Sequence, residues 1–315
     1  MAAAAPDPEA LAAAAARSAD AARAWRRSAQ VTDLLARLDA IQELAEPQAI
    51  DAVADLLSDD DLAARLLAPL VDALRDEPWL TPPLRVSRDG LRIGAQLIDH
   101  PLLRLSASVT RADKLAALPP PDGVLMAGRL TIVRYHRAGG VRLRRWQAPP
   151  IAHDFSIATA PPAREIAPVC PADGAVLVQD GRHQGTLMGA ATSDVATLTA
   201  IFRDRAAPFM RDYATADGRL RRVAMIDEGG ARSDMLLTML RVMGRGDAGD
   251  CLAAATHDAA FFRRWSAMRE WLALDAASAA PRLAEMASFD PHPEVRAAAT
   301  ATLPMLAEAG IACPA

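Results

Sequence analysis

The sequence predicts an α+β protein, with a central antiparallel β-sandwich or barrel flanked by N- and C-terminal α-helical segments. Two changes of hydrophobic period predict it. Apolar residues recur at helical spacing through about residue 77, switch to a period of two from about 84, and return to helical spacing at 231. A third observation is the punctuation of the middle region by Gly, Pro and Asp-Gly clusters, with no helical run between the short strands they separate. The expected boundaries are a helical segment over 1–80, a β domain over 84–226 and a second helical segment over 231–315.

In the first segment Leu34, Leu35, Leu38, Ile41 and Leu44 form one helical stripe that Pro47 closes. A second helix fits 48–57, with Val53, Leu56 and Leu57 on one side. Ser58 to Asp61 supplies an acidic, cap-forming start to a third, through Leu62, Leu66, Leu67, Leu70 and Leu74. Pro78, Pro82 and Pro83 then end the pattern.

The β region opens with a hairpin over 84–93 around Asp89-Gly90. Further strand-like runs are 102–110, 124–135, 141–147, 175–179, 185–189, 195–203 and 219–226, and Gly139-Gly140 reads as another tight turn. Beyond it, Met235, Leu236, Met239, Leu240 and Met243 recur at helical spacing up to Gly244. Three helices are then expected at about 249–273, 276–287 and 293–309, with Asp275 capping the second and Pro293 opening the third.

Composition narrows the function classes. The 315 residues carry 35 basic against 39 acidic side chains, a net charge of −4, which gives no reason to expect nucleic acid or a membrane as partner. All the basic residues but Lys114 are arginine, so arginine clusters are discounted. Cys170, Cys251 and Cys313 lie far apart without a CxxC pair, and no run of 18 apolar residues occurs. A soluble, reducing, cytoplasmic setting is expected. The sequence has no GxxxxGK[ST] loop, no GxGxxG after a strand, no GxSxG elbow and no HExxH, which disfavours P-loop, dinucleotide, serine-hydrolase and zincin chemistry.

The stretch 283–306 resembles the second half of a HEAT repeat, with Asp290 in the inter-helix turn followed by Val295, Arg296 and Ala299. The resemblance implies a helical hairpin that must pack on another surface, its own chain's or a protein partner's.

Three histidines, His136, His153 and His183, fall in the β region, and imidazoles with a carboxylate make a common mononuclear metal site. The run from Pro171 to His183 resembles the second conserved motif of cupins, where a Gly-containing turn leads through an apolar strand to a second turn and a metal-binding histidine; Gly174 and His183 match it. The family's first motif has two histidines one residue apart and then a glutamate. This chain has no HxH and offers His136, or His153-Asp154, with Glu165 further on. The resemblance implies a cupin-like domain over about 84–226 and a metal-dependent enzyme, a mononuclear non-haem iron oxygenase acting on a small molecule. Its metal would be Fe(II) or another divalent transition metal held by His136, His153 and His183. Asp154 or Glu165 would serve as carboxylate ligand or base, Arg144 as a clamp for a substrate carboxylate, and Trp146 and Tyr135 as substrate contacts. It also makes a homodimer plausible.

The residues alone leave plainer accounts open. Each histidine could sit at a solvated turn or be hydrogen-bonded within a strand, and Arg142, Arg144 and Arg145 could line a solvated strand face. The aromatic cluster Phe261, Phe262, Trp265 and Trp271 reads as helix packing or as the lining of a ligand cleft. The second functional expectation is therefore a non-catalytic ligand-binding or scaffold protein whose helical surfaces recruit a protein partner.

Overall fold

The structure is a computed structural model and describes residues 8–310 except 78, 151–156, 158, 204, 227 and 309. In chain order, helices precede and follow a run of antiparallel strands, as the two changes of period require. The chain divides into two compact units, one of Met1–Gln147 with Arg164–Ala207, the other of Ala148–Ala163 with Pro208–Ala315.

The first unit begins with four helices, α1 (Pro8–Arg26), α2 (Ala29–Gln42), α3 (Glu46–Leu57) and α4 (Leu62–Asp76). Pro47 lies in the first turn of α3, where its missing N–H costs nothing, so it opens this helix as well as closing the run before it. The strands follow as β1 (Arg85–Arg88), β2 (Arg92–Asp99), β3 (Leu103–Thr110), β4 (Gly123–Met126), β5 (Leu130–Arg137), β6 (Leu143–Gln147), β7 (Arg164–Val169), β8 (Val176–Asp180), β9 (Gln184–Met188) and β10 (Val195–Phe202), with a short helix α5 (Ala112–Ala116) between β3 and β4. A six-stranded sheet has the order β1-β2-β3-β10-β5-β8, and a three-stranded one the order β7-β6-β9.

Both faces of the large sheet are buried near β5, and alternation sorts the side chains. Leu130 and Ile132, with Leu105, Leu198, Ala200 and Phe202, pack against Leu34, Leu38, Val53, Leu57 and Leu66 of the helices. Val133 and Tyr135 point the other way and join Val141, Leu143 and Val195, with Leu177 and Met188, between the two sheets. The first 80 residues are thus not a separate segment. An amphipathic helix has to bury its stripe, and these helices bury theirs on the sheet.

Both expected turns form, in ways the pattern alone does not specify. At Asp89-Gly90 the aspartate Oδ1 accepts the N–H of Leu91 and of Arg92, and β1 pairs with β2 beyond it. Gly139 and Gly140 both have positive φ, 59° and 66°, and Val141 N–H closes the turn on Ala138 O. That turn carries the chain from β5 in the large sheet to β6 in the small one.

The second unit contains β11 (Phe209–Ala214), β12 (Leu220–Met225), α6 (Glu228–Val242), α7 (Gly249–Ala255), α8 (Phe261–Leu274), α9 (Ala276–Phe289) and α10 (Pro293–Glu308). The single helix expected over 249–273 is two, because Asp258 accepts the N–H of Ala260 in a turn between α7 and α8. Phe261, Met268, Trp271, Leu283, Met286, Val295 and Ala299 form the core here. Asp290, in the α9–α10 turn, is buried against Arg264 of α8, and Arg296 donates to the Asp290 and Pro291 carbonyls.

Strands β7 and β11 lack a clean period of two for local reasons. Pro168 interrupts β7, which is mostly exposed, and Arg211 sits between Phe209 and Tyr213 on the buried side of β11. Buried Arg211 donates to the Pro149 carbonyl and the Tyr213 hydroxyl, both at 2.8 Å.

Candidate functional site

Two of the expected metal ligands, His136 and His183, do not converge. His136 stands near the C-terminal end of β5, whereas His183 follows β8, whose Asp180 pairs with Leu130 at the opposite end of β5. Six strand residues of about 3.3 Å each put the two imidazoles on the order of 20 Å apart, far beyond a shared ion. His153 and Asp154 lie outside the described residues. Among the described residues no group of three His, Cys, Asp or Glu side chains could hold a metal ion. Among the described residues the donors do not fit the cupin metal centre that the sequence suggested.

The turn that resembles the cupin motif has another task. Arg182 donates to Glu46 at the start of α3 at 2.7 and 3.1 Å and to Asp180 at 2.7 and 2.8 Å. His183 lies beside this cluster, its Nδ1 3.7 Å from Asp180. The motif is therefore a clamp between the β8–β9 turn and a helix N-terminus. Arg182 holds the Glu46 carboxyl below its ordinary range.

The expected substrate clamp and the expected base are bound to each other. Arg144 Nε and Nη2 donate to the two oxygens of Glu165 at 2.8 and 2.9 Å, across the β6–β7 pairing. The Arg144 hydrogen bonds hold the Glu165 carboxyl below the usual glutamate range, the reverse of what a base at neutral pH needs. Trp146 is buried, with the Arg144 guanidinium 4.6 Å from its ring centre. Tyr135 points into the packed layer between the sheets, where burial pushes its phenol up to about 12. Neither aromatic ring is a substrate contact in this arrangement.

What the structure does bring together is a groove of about 340 Å³ on the helix-facing side of the large sheet, within the size range of small-molecule sites. Its floor comes from aligned positions on four strands: Val86 of β1 beside Ala95 of β2, Ile93 beside Val109 of β3, Ala107 beside Leu198 of β10. Asp59, Asp60 and Ala63, at the start of α4, form one wall, and Arg134 and His136 of β5 complete it. Val86, Ile93 and Val109 are exposed, although β-branched residues on a sheet face usually meet a covering layer. The four helices cover one end of this face and leave the other open.

Arg134 is the charged group of this floor that water does not reach. Its side chain is only 5% exposed, whereas that of its partner Asp60 is 86% exposed. Nη1 donates to the Leu57 carbonyl at 2.7 Å, Nη2 pairs with Asp60, and Nε is buried without a partner. An unmet buried donor costs about 1–3 kcal/mol. Asp59 is already paired with Arg65. A larger hollow of about 870 Å³ runs along α1 beside the exposed Trp79, where Ser18 accepts the Thr81 N–H and Arg17 pairs with Glu77 at 2.7 Å.

The sequence carried one sign of the groove. Leu130, Ile132 and Arg134 alternate on one face of an otherwise apolar strand, so a charge falls where a core residue is due.

No protein-family model matches the chain, and no curated protein sequence matches it. Solved structures do show similarity. The capsular polysaccharide assembling protein CapF from Staphylococcus aureus is 10% identical over 51% of this chain and 40% of its own, with a TM-score of 0.26. A sugar phosphate isomerase from a cupin superfamily, from Silicibacter pomeroyi, is 13% identical over 44% of this chain and 78% of its own, with a TM-score of 0.24. A chain from the crystal structures of the DMSP lyases RdDddP and RnDddQII is 15% identical over 69% of this chain and 99% of its own, also with a TM-score of 0.24. The chain spans 40% of the length of that CapF chain. At such scores these likenesses bear on no residue of the groove.

Proposed function

We propose that the protein binds a small, largely apolar molecule in the groove between the large sheet and the start of α4, and acts as a ligand-binding protein. The observation that carries this reading is the apolar floor of Val86, Ile93, Ala95, Ala107 and Val109, left open beside a buried arginine. Exposed apolar surface in a concave site is stabilised by an apolar occupant, and a pocket of this size takes a molecule of roughly ten to twenty heavy atoms. The mononuclear iron oxygenase suggested by the cupin resemblance has no support from this geometry, because His136 and His183 stand at opposite ends of β5.

Uptake of a fluorescent apolar probe, 1-aminoanthracene, tests the reading. The wild-type protein is expected to enhance and blue-shift its emission, and Ile93→Glu and Val109→Glu to abolish the effect while leaving the circular dichroism spectrum unchanged. Both positions are exposed, so a charge there costs the fold little. Equal uptake by the wild type and both variants would place the probe elsewhere and end this assignment.

A further inference from the structure

The groove holds a pairing whose two members differ sharply in their access to water. Asp60 has most of its carboxylate in solvent, so on leaving it returns to water with little change in hydration, and the cost of its departure is the unpaired Arg134 charge, which a second anion would remove. Arg134 cannot leave. Its guanidinium is buried and held from behind by the Leu57 carbonyl. Asp60 engages Nη2, while the neighbouring Nε donor on the same edge of the planar guanidinium is unmet. That edge offers two parallel N–H groups, the arrangement that matches the two oxygens of a carboxylate.

We propose that the ligand of this groove is an amphipathic monocarboxylate whose carboxylate displaces Asp60 and takes both Nε and Nη2 of Arg134, while its apolar tail lies along Ala107, Val109, Ile93 and Val86. This rests on the reading of the groove as a ligand site. Displacement satisfies the orphaned donor and keeps the buried charge paired, and Asp60 moves into water. Asp60 acts as a placeholder that keeps Arg134 neutralised while the groove is empty and sets a threshold that a neutral ligand never has to cross. Asp59, the other acid on the wall, stays paired with Arg65 and does not compete for Arg134.

The test uses the full chain, with octanoate and 1-octanol as competitors for bound 1-aminoanthracene. The two share a chain length and differ in head group. Octanoate is expected to displace the probe at about tenfold lower concentration than octanol, despite its weaker partition into apolar surroundings. Asp60→Asn removes the competing charge from an exposed position, and it is expected to lower the octanoate concentration needed by several-fold without moving that of octanol. Arg134→Gln is expected to erase the difference between the two competitors. Should Arg134→Gln not fold, Asp60→Asn alone decides. Equal displacement by octanoate and octanol, or an Asp60→Asn variant that treats both as the wild type does, overturns the carboxylate assignment and leaves the apolar groove standing. Failure of the probe itself to bind removes the groove reading as well, so the two failures are distinct.

Discussion

Arg264 and Asp290 meet inside the second unit through two parallel hydrogen bonds, Nε to Oδ2 at 2.8 Å and Nη2 to Oδ1 at 2.7 Å, with both side chains nearly closed to water. Arg264 also donates to the carbonyls of Asp258 and Ala259, and Asp290 accepts the N–H of His292. The pair thereby ties the turn before α8 to the turn before α10. Removing one member strands the other charge. Asp290→Ala is expected to cost about 3–5 kcal/mol, read as lost amide protection across α8 to α10 in hydrogen exchange. A loss below 1 kcal/mol would mean that water reaches Arg264.

The same pair sets an acid limit. Burial pushes the Asp290 carboxyl up, but the Arg264 hydrogen bonds, the His292 N–H and the nearby positive charge outweigh it and leave the group below an ordinary aspartate. A carboxyl with a lower pKa in the folded state adds stability that is fully present above its unfolded value, about pH 4, and is lost as pH falls through the folded value. Denaturant midpoints for the second unit are expected to hold steady from pH 7 to about pH 4 and to fall below that. In Asp290→Asn the fall should be shallower.

Two glycines give opposite expectations. Gly139 has φ of +59°, and a Cβ there would run into the Ser193 carbonyl, whereas Gly90 has open space around it and no positive φ. Gly139→Ala is expected to destabilise the first unit by more than about 1 kcal/mol, and Gly90→Ala to leave it unchanged or raise it by a few tenths. Thermal unfolding of the two variants side by side checks this, and a benign Gly139→Ala would contradict the turn geometry.

Metal content separates the groove from the cupin-type site. With His136 and His183 at opposite ends of β5, neither can depend on the other for a shared ion. Elemental mass spectrometry of His136→Ala and His183→Ala is expected to match the wild type. Loss of the same near-stoichiometric metal from both variants would put the two imidazoles on one ion and contradict the strand register.

The surface pair Arg144–Glu165 is expected to matter little. Both side chains are more than a third exposed, so Glu165→Gln should change stability by no more than about 1 kcal/mol, and less in high salt.

What could be read in advance follows from how local each signal is. The stripe through Leu34, Leu38 and Ile41, the Asp89-Gly90 hairpin and the paired glycines at 139–140 each occupy a few consecutive residues, and each forms as expected. The pairing of β10 with both β3 and β5 joins residues far apart in the chain, so no local pattern reports it. On α6 the spacing shows a helix but not which side is buried. Leu237 is buried and Leu240 packs beside it, while Met235, Leu236, Met239 and Met243, four of the five stripe residues, are exposed. Sequence identifies site residues by chemical type, and Arg144, Glu165 and His183 have the right type. Their partners across strands and turns give them other roles, and only the sheet register shows it.

The strand order also governs how this protein can be made. Inside the large sheet lies β10, whose neighbours β3 and β5 are both finished long before it. Between Thr110 at the end of β3 and Val195 at the start of β10, a ribosome adding about 5–20 residues per second needs on the order of ten seconds. For that interval α1 to α4 and the first three strands wait beside the exit tunnel with an unfilled slot in their shared core. A nascent chain in that state is a natural client for a chaperone that shields apolar edges, and production at lowered temperature, which weakens hydrophobic association, should favour soluble protein.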